Sequence, residues 1–584
     1  MNSLKRLLFL FLAFGVIFIT TQGLSHWLNP AKEERSVQTP ATKRKPSSTA
    51  SASTQKPKSA IAQDKAPSTK HKLQRAVIET DSFRATFTNQ GGGALLAYRV
   101  KGERFQRQDP RGKNLISTDK PNYLSMRMHL PELKRSADVP WELHSFDAKH
   151  GKGLSFRATT NALEVVRKIE PGRNAYQLWS TLQVRNRSDQ QQKVQPTIST
   201  YHYVRREDES GGFFLASQSQ AISHGICAYG DDLEREDRED LLEAQRYTRD
   251  VKFTGIENSY FTQVFAPSMG AVKHCEILSS DRGGTVDDPD GSLFEAHLRY
   301  KPLVLAAGEQ KVVRTLAFLG PKDTRALRAA GHALPKVVDL GFFSIITRYL
   351  VELLRLIEGY VGNWGLAIIL LTVLVKLLLY PLTEKSFQSM AKMRLLKPDM
   401  DRINELYKDD REKKGAAMME LYRKHKINPV GGCLPSLLQL PIWFSLYTSL
   451  STNVELYQAP FIGWWQDLSS PDPYFMLPLL LGVLMFMQQR LTPTTMDPVQ
   501  AKIMMYVMPV MITSFMLFLP AGLCLYMVTN SALGMAQQKF IHYRLDKGAP
   551  SEAHSEAEAE AAGKQSHSAS QPKLVQRRHR RGRA

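Results

Sequence analysis

From Gly359 to Thr383 the chain carries one charge, Lys376, and the run is closed on either side by Glu358 and Glu384. A run of that length is sufficient to cross a hydrocarbon core roughly 30 Å thick. A lysine near the middle of such a helix costs about 2.5–3.5 kcal/mol, so it persists where water, a partner charge or a task offsets the cost. No Asp or Glu occurs in the other uncharged runs of the C-terminal half, which removes the partner-charge explanation. Lys376 is therefore expected to face water within the membrane.

The other spans follow from where charges are missing. Ile427–Val454 holds none and contains Pro435 and Pro441, and Pro473–Gln489 is a second, barely sufficient run. Ile503–Gln538 is 36 uncharged residues, about 54 Å as one helix and too long for one crossing. Pro520-Ala521-Gly522 divides it, giving two short helices and five spans in this half. The segment between Thr383 and Asn428 has 12 Lys/Arg against 8 acids, whereas Ser451–Asp472 has no Lys or Arg. The first is then cytoplasmic and the second outside, with the basic tail cytoplasmic again.

At the N-terminus, residues 1–28 join Lys5 and Arg6 to an apolar run and Trp27, a pattern read as a further transmembrane anchor with its N-terminus in the cytoplasm. A cleaved signal peptide is the alternative, although no clean A-x-A site follows. Residues 29–74 are rich in Pro, Ser and Lys, the composition of a disordered linker. Over 75–335, stretches such as FRATFTN, YQLWSTLQVRN and QKVVRTLAFLG alternate with period two between turn residues, which predicts a large extracytoplasmic antiparallel β-sandwich. Gly91–Gly93 is read there as a turn, since no Lys-Ser/Thr follows to make a phosphate loop. Residues 341–360 read as an interfacial amphipathic helix, with Arg348, Glu352 and Arg355 on one face. The fold class expected is thus mixed: a polytopic α-helical membrane protein with six transmembrane helices, five forming a core over 361–545, plus the β-domain. Residues 384–427 form a cytoplasmic helical hairpin of two helices, roughly 384–407 and 416–427, and 546–584 a disordered basic tail.

The net charge of +21 is concentrated in the linker, the loop after Lys376 and the tail, which suits anionic lipid or RNA. Of four cysteines, Cys433 and Cys524 fall in apolar spans as packing residues. Cys227 and Cys275 share the β-domain, where a disulfide and two free thiols both remain open. No metal spacing, nucleotide loop or paired catalytic carboxylates are present, so no cofactor, no metal and no enzyme are expected; Glu207, Asp208 and Glu209 read as a solvated loop. Polar residues recur on the apolar helices: Thr372 one turn before Lys376, Ser436 and Gln439 three apart, and Asn530 between Thr529 and Ser531. They line a hydrated groove or hydrogen-bond between helices. In the hairpin, Met390, Met393, Arg394, Lys397 and Tyr422 are the expected contact residues, with Leu406, Met418 and Leu421 in the apolar seam.

The blocks NWGLAIILLTVLVKLLLYPLT, SMAKMRLLKPDM, NPVGGCLPSLLQLPIWFSLY and LTPTTMDPVQAKIMMYVMPV strongly resemble the YidC membrane protein insertase family, and TDSFRATFTNQGGGALLAYRVKG resembles the periplasmic domain of its Gram-negative members. The resemblance implies a non-enzymatic insertase and chaperone in the bacterial inner membrane. Nascent membrane proteins enter a positively charged groove and leave into the phospholipid bilayer, alone or beside the Sec translocon, with the ribosome a partner of the tail and cytoplasmic loops and with no small-molecule substrate. Lys376 falls at the groove-charge position, and Thr372 and Gln439 at polar groove positions. The family commonly has arginine where this chain has Lys376, which keeps the charge and loses the rigid donor fork. An anion channel or transporter using the intramembrane lysine is the alternative, and the inverted repeats common in such folds are not visible.

Overall fold

The computed structural model describes residues 72–133, 140–205, 223–268, 271–281, 291–408, 410–425, 429–491 and 502–548. The anchor, nearly all of the linker, the Glu207–Glu209 loop and the tail beyond Gly548 lie outside them. The chain divides into two compact units. The first holds the described residues of Met1–Thr347 with Thr448–Ala459 and Gln466–Ser470, and the second holds Arg348–Tyr447, Pro460–Trp465 and the described residues from Pro471 onward.

The first unit is the expected antiparallel β-rich domain. Two sheets dominate its described residues, one of nine strands and one of five. In the larger, Gln310–Pro321 pairs with Phe261–Pro267 on one side and Gln177–Asn186 on the other. The smaller is built on Thr197–Arg205 paired with Gly291–Tyr300. Alternation places one side of each strand inside, as in Leu163–Pro171, where Leu163, Val165 and Ile169 are buried. Phe87, Tyr98, Trp141 and Phe156 fill the same core.

Gly91–Gly93 form the expected turn, with φ of +57°, +67° and +88°. A Cβ on Gly93 would lie 2.6 Å from the Phe156 ring, so the close approach requires glycine as much as the left-handed backbone does. The turn also serves an arginine that the period-two pattern does not single out. Arg167 is fully buried and donates to Gly92 O at 2.9 Å, Met126 O at 2.8 Å and Ser180 Oγ at 2.8 Å. Burial with no carboxylate partner brings its guanidinium down to about 9. Cys227, in the nine-stranded sheet, and Cys275, in the five-stranded sheet, form a disulfide across the two.

A segment distant in sequence completes this unit. Tyr457 is buried against Phe105, Tyr260 and Phe261, with ring centroids 5.2–6.0 Å apart. Arg107 donates to Gln458 O at 2.7 Å.

From Ser344 onward the α-helices run in chain order: α1 Ser344–Val361, α2 Trp364–Leu378, α3 Tyr380–Leu395, α4 Lys397–Leu406, α5 Arg411–Lys424, α6 Pro429–Thr452, α7 Met476–Leu491, α8 Met508–Met516 and α9 Ala521–Gly548. A π-helical segment, Ile503–Val507, leads into α8. Helix α2 opens with Asn363, whose side chain accepts from Leu366 N. Among the described residues no single helix is long and apolar enough to cross a membrane. Helix α2 and residues 380–389 of α3 meet that test together across a 60° bend, and α7 and the 503–516 helix are shorter apolar helices.

Three local expectations change. The run 359–383 is broken at Leu379, where Pro381 supplies no N–H to continue the ladder, so Lys376 sits in the last turn of α2 rather than in mid-helix. The helix expected over 384–407 is two helices, because Pro398 favours the start of a helix and not its interior. The second hairpin helix, expected at 416–427, begins five residues earlier, at Arg411, capped by Asp410, whose carboxylate accepts from Lys413 N. The division at Pro520-Ala521-Gly522 is present between α8 and α9.

Candidate functional site

The site is built on α2. Gly365, Ile368, Leu371 and Thr372 are buried, and Leu366, Leu370, Leu374, Leu377 and Leu378 form an exposed stripe. Ile368, Thr372 and Lys376 are spaced by four, so the lysine continues the inner face, away from the leucine stripe. Helices α7 and α8 repeat the arrangement with exposed Leu479, Val483, Val510 and Phe515. Apolar stripes of this extent suit a lipid environment, since water would penalise all of them at once.

Lys376 is half-buried and packs over α9. A Cβ on Gly534 would stand 3.7 Å from Lys376 Nζ and 3.9 Å from Gln488 Nε2, so the ammonium lies over the glycine backbone with an α7 amide beside it. Gln537 of α9 donates to Lys376 O at 3.4 Å. No Asp or Glu perturbs the lysine among the described residues. Its place in the last turn of α2 is favourable, because the carbonyl end of a helix is partly negative.

The structure joins some of the sequence candidates and separates others. Gln439 donates to Asn530 Oδ1 at 2.7 Å, which links α6 to α9. One turn along each helix, Trp443 Nε1 donates to Met527 Sδ at 3.1 Å. Thr372 is buried and donates to Ile368 O at 2.7 Å, so its hydroxyl is spent within its own helix. Ser436 lies on α6, but its side chain, like those of Met390 and Arg394, is outside what the structure describes.

In the hairpin, Met393 is half-buried, Lys397 is exposed at the start of α4, and Tyr422 donates to Met400 Sδ at 3.7 Å. Leu406 is 68% exposed and takes no part in the seam assigned to it; Met400, 3% exposed, lies there instead. Two glutamines beside Lys376, Gln488 and Gln537, and Gly534 beneath its ammonium carry no signal in the sequence. Only the α7–α9 and α2–α9 packing brings them together, and no spacing within one helix encodes it.

A β-rich domain joined to helices with leucine stripes outside and one lysine on the inner face defines a membrane-embedded protein with a large water-soluble domain. Sequence comparison specifies it further. The YidC periplasmic domain family matches residues 75–353 and the 60Kd inner membrane protein family residues 356–548. A membrane protein insertase YidC of Anaeromyxobacter sp. (strain K) is 34% identical over 474 residues, covering 79% of this chain and 83% of the relative. One from Geobacter sulfurreducens is 34% identical over 478 residues, covering 80% and 85%. A solved structure of an active YidC insertase matches with 17% identity and a TM-score of 0.34 over 80% of this chain and 92% of its own. The chain belongs to the YidC membrane protein insertase family, a non-catalytic inner-membrane family with a periplasmic domain.

Proposed function

We propose that this chain inserts nascent membrane proteins into the bacterial inner membrane and assists their folding there. In this reading six spans, including the anchor at 1–28, place both termini in the cytoplasm and the β-domain in the periplasm. The uncharged runs and the distribution of Lys and Arg around them support that topology. Lys376 is the charge of a hydrated groove, with Thr372, Ser436, Gln439 and Asn530 as its polar wall. The hairpin residues Met390, Met393, Arg394, Lys397 and Tyr422 receive the incoming segment. Segments leave laterally into lipid, alone or beside the Sec translocon, and the basic tail and loops contact the ribosome.

The observation that carries the reading is an ammonium on the inner face of α2, beside Gln488 and Gly534, with no carboxylate among the described residues to neutralise it. An unpaired cation in low dielectric attracts acidic segments of a passing chain more strongly than it would in bulk water. None of the relatives described above is named a channel or transporter.

The test is insertion of a small single-spanning protein with an acidic outer segment into proteoliposomes, read by protease protection. Lys376→Arg is expected to retain insertion, and Lys376→Ala and Lys376→Glu to lose most of it. Equal insertion by all four proteins would remove Lys376 from the mechanism. Wild-type insertion no better than empty liposomes would remove the insertase reading.

A further inference from the structure

The β-domain contains a cavity of about 260 Å³ that the insertion reading leaves unused. Lys113, Ser117, His202, Glu257, Asn258 and Phe261 are among the residues lining it. Their hydrogen bonds are one-sided. Ser117 Oγ accepts from Tyr203 N at 2.8 Å and lies 3.0 Å from His202 Nδ1. In the tautomer in which Nδ1 accepts the hydroxyl's hydrogen, the imidazole carries its proton on Nε2, facing away from Ser117. Asn258 accepts through Oδ1 from Tyr260 N and Phe261 N, at 3.1 and 2.8 Å, which commits its oxygen and leaves its amide N–H groups.

Lys113 Nζ, His202 Nε2 and Asn258 Nδ2 are donors without an acceptor among the described residues. Lys113 and His202 are also close enough for the ammonium to disfavour a charged imidazole. The one carboxylate in the wall is already committed: Glu257 pairs with Arg235 at 2.7 Å and Lys322 at 3.1 Å. Three donors, one of them the only ammonium among the lining residues, partly shielded from water, call for an anionic acceptor.

We propose that this cavity binds a small organic monocarboxylate, whose oxygens accept from Lys113, His202 and Asn258 and whose apolar body lies against Ile256 and Phe261. A doubly charged phosphate fits the charge less well, because the imidazole is kept neutral by burial and by Lys113.

Full-length protein in nanodiscs is titrated with butyrate, benzoate, butyramide and inorganic phosphate, and binding is read by ligand-detected NMR and calorimetry. Saturable binding of the two acids, weaker binding of phosphate and none of the amide are expected. Lys113→Met should weaken the acids by about tenfold or more, and Lys113→Arg by much less. The acid-against-amide comparison uses wild-type protein and stands even where Lys113→Met fails to fold. No saturable binding, equal binding of amide and acid, or undiminished binding by a folded Lys113→Met variant overturns the proposal. So does phosphate binding more tightly than the acids. A short peptide with a free C-terminal carboxylate that outcompetes butyrate would overturn the small-acid assignment in favour of a chain terminus.

Discussion

Breaking the Cys227–Cys275 disulfide should weaken the β-domain by an amount calculable from chain length. The bond joins residues 48 apart and links a strand of the nine-stranded sheet to one of the five-stranded sheet. In the chain-entropy account, closing a loop of that size removes about 14 cal/mol/K from the unfolded state, or about 4 kcal/mol at 25 °C. Both cysteines are buried, so reduction leaves the surrounding packing largely in place and isolates the cross-link. For a domain of this size about 4 kcal/mol corresponds to a fall of about 8–16 °C in Tm. The measurement is thermal unfolding of the full chain in detergent, oxidised and reduced, followed by the fluorescence of the β-domain's Trp141 and Trp179. The Cys227→Ala/Cys275→Ala variant should unfold near the reduced wild type, slightly lower for the lost sulfur packing. A thiol count on denatured, unreduced chain should find two of the four cysteines free. Oxidised and reduced proteins unfolding within about 2 °C of one another would refute the entropic reasoning, because no other term in it is large enough to cancel the loss.

Two further predictions concern buried charge. Burial, then the charge of Lys113, lowers His202 from 6.5 to about 4, so the unfolded chain takes up a proton that the folded chain refuses. Stability is unaffected above pH 6.5 and falls by about 3 kcal/mol as pH drops from 6.5 to 4; urea titrations at both ends should show it, and His202→Gln should flatten that part of the acid slope. An unchanged slope in the variant would assign the acid sensitivity to other groups. Burial alone would raise Glu257, but Lys322 and Arg235 hold it below its usual range. Glu257→Gln leaves those two cations facing each other and should cost about 3–5 kcal/mol in chemical denaturation, whereas a loss below about 1 kcal/mol would mean that water already screens the cluster.

Much of the fold is legible because its signals are local. The strands Phe83–Thr88, Gln177–Asn186 and Gln310–Pro321 fall where period-two alternation marks them. The break before α9 falls at Pro520-Ala521-Gly522. What was not legible depends on contacts between distant segments. Arg167 shares the inward register of Leu163, Val165 and Ile169, but the carbonyl that holds it there, Gly92 O, comes from 75 residues away and no local pattern indicates it. The disulfide stayed open because spacing does not say that Cys227 and Cys275 lie in facing sheets. Helix α2 ends earlier than its hydropathy indicates for a local reason: the hydropathy is uniform across Leu379 and does not register the missing donor of Pro381. At the candidate site the same division holds. Lys376 and Thr372 show in one helix, but the Gln439–Asn530 bond and the Gln488–Gly534 surroundings of the ammonium need α6, α7 and α9 in register with α2.

Gly534 offers a way to test those surroundings without touching the lysine. An alanine there adds one methyl at 3.7 Å from Lys376 Nζ, an ordinary contact that requires no backbone movement. In the interior of α9 the change itself favours helix by about 1 kcal/mol. Folding and membrane accumulation of Gly534→Ala should therefore equal or exceed those of the wild type. The methyl occupies one side of the ammonium, displacing water or a substrate carboxylate from that side. Insertion of acidic segments should fall while insertion of neutral ones is kept, a pattern that simple destabilisation does not produce. If acidic and neutral segments insert as in the wild type, the lysine does not work through the space over Gly534. The charge would then have to act from a side of the ammonium that the methyl does not reach.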